Sequence, residues 1–222
     1  MQNQETVKEE VKNNSKIVIL VGRSGSGKGT QGQFIKSFLE NNFPEKRDDE
    51  TQEITGHLHY LSTGEEMRRI MRQSSYTAKL SRQYLEDGKL QPMFFSVYVW
   101  AKYLMEHVHG GDNIIFDGVP RRKSEADILH SAVKFYNWHR PVVINIDVSE
   151  EECIKRMSER NREDDRLENY KKKMEWYRVE VEPMLQFYQE SNQYAYVRIN
   201  GEDTPENISK HIEHFLKSHY NL

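Results

Sequence analysis

One stretch carries the strongest chemical signal in this chain: Gly22-Arg23-Ser24-Gly25-Ser26-Gly27-Lys28-Gly29-Thr30. It fits the pattern G-x-x-x-x-G-K with a hydroxyl close by, a spacing suited to cradling phosphate. Gly25, Gly27 and Gly29 let the backbone bend so that successive N–H groups, including those of Ser26 and Lys28, face one anion. Lys28 adds a mobile full charge for the β- and γ-phosphates. Thr30 offers an oxygen to a metal ion bound there. A flexible turn alone would also be rich in glycine. What separates the two is context: the apolar run Ile17–Val21 stands before the loop, and a helix-like segment, Gln31–Asn41, opens after it. A strand, a glycine loop and a helix N-terminus in that order make an anion site.

A second group of residues suits the same chemistry. Asp117 ends the apolar segment Asn113–Phe116 and could hold Mg²⁺, directly or through water, beside phosphates touched by Lys28 and Thr30. Before Gly118 it could equally be a turn residue. Arginines lie in several segments: Arg68, Arg121, Arg156, Arg160 and Arg162. Transfer of a phosphoryl group between polyanions needs such positive charge more than covalent chemistry. A solvated helix face is the alternative for any one of them, and Arg156 and Arg160 are four apart on one helical pattern. Lys171-Lys172-Lys173 reads as a solvated face. The nine histidines include His57-x-His59 and His107-x-His109 but lack an obvious ligand set, so surface or core roles are expected. The aromatic stretch from Tyr76 to Trp100 reads as packing.

These residues need a scaffold. Apolar segments Ile17–Val21, Leu58–Ser62, Asn113–Phe116, Pro141–Val148 and Tyr194–Ile199 read as buried strands. Helical patterns separate them: Gln31–Asn41, Gly64–Gln73, Thr77–Glu86, Met93–His109, Ser124–Asn137, Ser149–Asn161, Arg166–Gln189 and Thr204–Ser218. Pro183 predicts a break near the end of the seventh, and Pro205 suits the first turn of the last. Asn42–Gly56 has no apolar periodicity and reads as a surface loop. The alternation predicts a three-layer α/β/α domain on a five-stranded parallel sheet, with the ligand at the C-terminal ends of the strands.

Composition sets outer limits. The 222 residues suffice for one sizeable domain, read as 16–222 after a polar, disordered lead-in over 1–15. A net charge of -3 and a pI near 6.3 argue against a protein that coats nucleic acid. Mean hydropathy is -0.88 and no apolar run reaches membrane-spanning length. Cys153 is the single cysteine, so an internal disulfide is excluded and a cytoplasmic setting is expected.

Taken together, the ordered motifs resemble the adenylate kinase family of P-loop nucleoside monophosphate kinases. Gly27-Lys28-Gly29-Thr30-Gln31 matches its GKGTQ, and Ser62-Thr63-Gly64-Glu65 matches its STGD with Glu65 for Asp. Gly88-Lys89-Leu90 and Asp117-Gly118-Val119-Pro120-Arg121 match GKL and DGFPR, with Val119 for Phe. The run from Arg160 to Asp165 resembles the arginines and R-x-DD around a lid. The resemblance extends from Ile17 to about Leu216. It implies transfer of the γ-phosphoryl of Mg-ATP to a nucleoside monophosphate, AMP before GMP, CMP or UMP, by a monomer with Mg²⁺. It also implies a helical acceptor-binding insert over 63–92 and a lid over 160–165.

By the same resemblance, Thr63, Arg68, Gln91, Gly118, Arg121 and Glu125 bind the monophosphate. Gly25 to Thr30 and Arg156 bind ATP, with Arg156 stacking on its adenine. Lys28, Arg121, Arg160, Arg162 and Lys173 serve catalysis, and Asp164 and Asp165 orient the lid hinge. Three departures shape the expectations. Only Asn161 separates Arg160 from Arg162, a very short lid that would exclude water less well. Lys173 replaces an arginine and loses its bidentate fork, a role that Lys171 or Lys172 could share. Glu125 replaces a glutamine that reads adenine, and an ionised carboxylate only accepts, so it suits guanine's donors better. A nucleotide-binding regulatory protein with weak turnover is the reading from another class.

Overall fold

The computed structural model describes residues 13–47, 49, 52, 54–159 and 167–222. The chain begins with strand β1 (Ile17–Gly22) and helix α1 (Lys28–Asn42), followed by the short β2 (Lys46–Arg47) and β3 (Ile54–Thr55). Then come β4 (Leu58–Ser62), α2 (Thr63–Met71), α3 (Tyr76–Glu86), α4 (Met93–His107) and β5 (Asn113–Asp117). The second half runs α5 (Lys123–Phe135), β6 (Val142–Asp147), α6 (Glu150–Glu159), α7 (Leu167–Trp176) and α8 (Glu182–Glu190). It closes with β7 (Ala195–Asn200) and α9 (Pro205–Tyr220).

Five strands pair in parallel in the order β4-β5-β1-β6-β7. The β-branched strands are buried on both faces, as helices packed above and below require. Alternate residues of β1 serve the two sides. Ile17, Ile19 and Val21 pack with Trp100, Leu129 and Tyr188 of α4, α5 and α8. Val18 and Leu20 pack with Ile35, Met157 and Ile212 of α1, α6 and α9. This is the expected three-layer α/β/α arrangement on five parallel strands.

Two local expectations are corrected, and the break expected in the seventh helical pattern is found. The segment Asn42–Gly56 carries a two-stranded antiparallel pair, β2 with β3, both exposed. The polar lead-in does not extend to residue 15: the Asn13 side chain donates to the Tyr136 carbonyl at 2.7 Å, and Ser15 is buried. The long pattern after residue 166 is divided by a π-helical turn, Tyr177–Val181. Pro183 follows in the first turn of α8, where its missing N–H costs least. The lid expected over 160–165 lies outside the described residues, as do 1–12.

Candidate active site

Strand register brings the site together. Asp117 stands level with Leu20 of β1 and with Ser62 of β4. The loop after β1, the loop after β5 and the first turn of α2 therefore share one edge of the sheet, the carboxyl ends of the strands, where parallel sheets bind ligands.

The first loop is built from backbone. Gly27 caps α1, and Lys28, Gly29 and Thr30 form its first turn, with Gly29 and Thr30 exposed. Lys28 Nζ donates to the carbonyls of Gly22 and Arg23 at 2.7 and 2.8 Å, so its charge lies over the loop. Gly25 has φ +88°, and a β-carbon there would lie 2.5 Å from the Cys153 carbonyl oxygen of α6. No other residue fits that approach without moving the loop. Ser26 is buried, and its hydroxyl has no hydrogen-bond partner among the described residues.

The facing loop is built from side chains. Gly118 has φ +79°, and a β-carbon there would meet Arg121 Nη2 at 3.0 Å. Arg121 Nε donates to the Gly118 carbonyl at 2.7 Å, and the guanidinium lies 6.0 Å from the centre of the Trp176 ring. Arg68 arrives from α2. A β-carbon at Gly64 would lie 3.4 Å from Arg68 Nη1 and 3.9 Å from Arg121 Nη2. Two guanidinium groups thus converge on one point. A cavity of about 30 Å³ is lined by Gly22 and Lys28 of the first loop and by Gly118, Arg121 and Trp176.

Other expected residues have environments of their own. Asp117 Oδ2 accepts from the Tyr60 hydroxyl at 3.0 Å. Burial and the Asp117 charge push the Tyr60 phenol well above its usual range, so it stays a donor. Thr63 is 1% exposed, and its hydroxyl donates to the carbonyls of Gly118 and Asp117 at 3.3 and 3.4 Å. Gln91 spends its amide on Ser81, accepting from Oγ at 2.8 Å and donating to the carbonyl at 2.9 Å. Arg156 binds Glu152 at 2.8 Å and donates to the Gly201 carbonyl, beyond β7, at 3.0 Å. Lys173 is 7% exposed, which removes it from a solvated face. Its neighbour Lys172 donates to the Asp87 carbonyl at 2.7 Å. Arg160, Arg162, Asp164 and Asp165 lie outside the described residues.

Glu125 departs from its expected place. It is 1% exposed and points into the protein. Oε1 accepts from Ser96 Oγ at 2.5 Å and Trp100 Nε1 at 3.4 Å, and Oε2 accepts from the Arg121 amide at 2.7 Å. Three protein donors occupy the carboxylate that was expected to face a base. Its place in the first turn of α5 explains this: an acidic side chain there reaches back to the amide groups before the helix.

Arg23 is the residue that sequence reasoning missed. Its guanidinium lies 4.6 Å from the centre of the Tyr177 ring and donates to Asp147 Oδ1 at 3.4 Å, the Val148 carbonyl at 3.1 Å and Glu182 Oε1 at 3.1 Å. It ties the glycine loop to the end of β6 and to the π-helical turn. Nothing local signals this, because Asp147 and Glu182 are 124 and 159 residues away. Among the described residues no group of three or more His, Cys, Asp or Glu side chains could hold a metal ion.

The family profile described as adenylate kinase matches residues 50–193. The adenylate kinase of Parabacteroides distasonis is 30% identical over 200 residues, 88% of this chain and 95% of that protein. Those of Corynebacterium urealyticum and Azobacteroides pseudotrichonymphae are each 28% identical. They cover 87% and 89% of this chain and 94% and 97% of their own lengths. The chain belongs to the adenylate kinase family.

Proposed function

We propose that this protein transfers the γ-phosphoryl group of Mg-ATP to AMP, giving two ADP, at the carboxyl edge of the sheet. The observation that carries this is the cavity lined jointly by Lys28 from one loop and Arg121 from the other. Donor and acceptor phosphates would meet there. Lys28 and the amides at the start of α1 hold the β- and γ-phosphates of ATP. Arg121 and Arg68 hold the acceptor phosphate and orient its oxygen for in-line attack, as two converging guanidinium groups favour an anion between them. Arg156, which donates to the Gly201 carbonyl, would stack on the adenine of ATP. Lys173, on α7, would add further positive charge to the transferring group. Arg160 and Arg162 would close over the transferring group.

The oxygen donors suit Mg²⁺, a hard cation held mainly by phosphates and water. Thr30 is exposed in the first turn of α1, and Asp117 presents a carboxylate steadied by Tyr60. When bound, the ion neutralises charge developing on the phosphates. The chain's own task is to hold the two nucleotides in line.

A monomer in a reducing compartment completes the proposal. Cys153 is buried and its thiol is pushed up to about 11, chiefly by burial, so it stays protonated and unreactive at neutral pH. No helix among the described residues is long and apolar enough to cross a membrane. A coupled assay with Mg-ATP and each of AMP, GMP, CMP and UMP tests the reaction. ADP formation fastest with AMP is expected; no transfer to any acceptor would refute the proposal.

A further inference from the structure

We propose that Glu125 is a positioning residue for Arg121, joining the acceptor-phosphate arginine to helix α4, and that it does not read the acceptor's base. The geometry gives it no free oxygen to offer a base. Ser96 and Trp100 of α4 donate to Oε1, and the Arg121 amide donates to Oε2. Trp100 Nε1 and the Arg121 amide can only donate, so both oxygens act as acceptors. Trp100 and Ser96 are themselves buried, and Trp100 sits in the core cluster that covers one face of the sheet. The carboxylate therefore connects a fixed point, α4, to the backbone of the residue whose guanidinium lies beside Gly64 and Gly118.

The same loop is braced from the other side. Arg121 Nε donates back to the Gly118 carbonyl, which also accepts from Thr63. Arg121 is thus held at its amide by Glu125 and at its side chain by the turn it closes. Loss of the amide contact frees the loop to turn, and the guanidinium then misses the phosphate by a distance that matters for alignment. Because every nucleoside monophosphate carries the same phosphate, the damage should fall equally on all acceptors. A base-reading residue would instead change the preference among them.

The inference rests on the acceptor-phosphate role of Arg121, and one set of measurements separates the two. Wild type, Glu125→Gln, Glu125→Asp and Glu125→Ala are compared in kcat/KM for AMP and GMP, in KM for ATP, and in AMP affinity by calorimetry. Glutamine keeps an acceptor for the Arg121 amide and can donate to Ser96 Oγ, but it turns a donor toward Trp100 Nε1–H, so Glu125→Gln should lose less than Glu125→Ala and lose equally for both acceptors. Glu125→Ala should raise the KM for AMP and GMP together, by about tenfold or more, with the ATP KM moved less than about threefold. If the alanine variant does not fold, Glu125→Asp, one methylene shorter, should show the same parallel loss. A shift of more than about fivefold in the AMP-to-GMP ratio in Glu125→Gln makes Glu125 a base reader and overturns the inference. Equal losses for ATP and AMP, or a lowered unfolding temperature with unchanged kinetics, reduce it to a general structural role and also overturn it. If wild type transfers phosphate and binds AMP while Arg121→Ala leaves AMP affinity intact, the phosphate role fails first and the inference with it. A wild type that binds no monophosphate overturns both.

Discussion

The two ends of the sheet differ in what their polar residues do. At the carboxyl end, glycines bend the chain and cations from separate segments meet: Lys28 over its loop, Arg68 and Arg121 beside Gly64. At the amino end, an open groove of about 1820 Å³ is lined by His57, His59, Tyr103, His109 and Asp112. It is far the larger concavity, yet its chemistry is turned on itself. His59 Nε2 lies 3.0 Å from Asp112 Oδ2 and its Nδ1 lies 3.1 Å from the Tyr103 hydroxyl. The other Asp112 oxygen accepts from the His57 amide, Oδ2 also accepts from the His109 amide, and the His57 ring pairs with Glu45. The contrast teaches that volume alone does not mark a site. Like charges gathered on one point suit an anionic ligand, whereas acid and base paired with each other hold strands together.

The comparison breaks most readily at Lys28. Lys28→Ala should lower phosphoryl transfer by about 10²–10⁴-fold while the fold survives, since it removes a charge at the transferring phosphates. Circular dichroism and the coupled assay together check this; near-normal turnover in a folded variant would remove the phosphate loop from the chemistry. Next comes Arg121→Ala, expected to cost roughly 2–4 kcal/mol in AMP affinity with much less effect on ATP. Separate calorimetric titrations resolve the two nucleotides, and equal losses would contradict the division between the loops. A smaller effect is expected of Arg23→Ala. It removes the ring contact with Tyr177 and the bonds to Asp147 and Glu182, at a cost of about 1–3 kcal/mol in stability. Urea unfolding measures that loss, and a stability equal to wild type would show the strap to be idle.

The amino end should answer to pH rather than to nucleotide. His59 is held below its ordinary value of 6.5, first by burial and further by His57 and His109, against the pull of Asp112. The unfolded chain therefore takes up a proton here before the folded one does. Stability from this site is complete above about pH 6.5 and falls as pH drops toward the folded value. His59→Gln should flatten that decline in urea unfolding between about pH 7.5 and 5.5, and leave kcat with AMP within about twofold. A large loss of turnover would merge the two ends that the comparison separates.

How far the sequence reveals this depends on how local each feature is. The glycine loop was legible because its shape is set by consecutive backbone groups, and Gly25 and Gly27, both at positive φ, announce the conformation directly. Strand β4 was read with the bounds it has, Leu58–Ser62, since a buried parallel strand is a compact apolar run. Helix ends shifted by a few residues, as at Met93–His107 where Met93–His109 was expected. The exposed pair β2 and β3 has no apolar alternation and left no signal. Arg68 and Arg121, assigned to the acceptor by resemblance, do meet beside Gly64, but the contacts that support them were not legible. The first-turn position of Glu125 accounts for the contact of Oε2 with the Arg121 amide, but Ser96 and Trp100 lie 29 and 25 residues away, so the partners of Oε1 follow from packing and not from the neighbouring sequence. Thr63 and Gln91 likewise spend their polar atoms on Gly118 and Ser81, contacts that a motif match cannot show.

The most direct test of the contrast between the ends is backbone amide chemical-shift mapping with ATP and AMP added in turn. ATP with Mg²⁺ should move the amides of Gly25, Gly27, Lys28 and Thr30. AMP should move those of Gly64, Gly118 and Arg121. The amides of His57, His59, His109 and Asp112 should stay in place with either nucleotide. Shifts centred on His59 and Asp112, with the glycine loop silent, would contradict the placement of the site at the carboxyl edge.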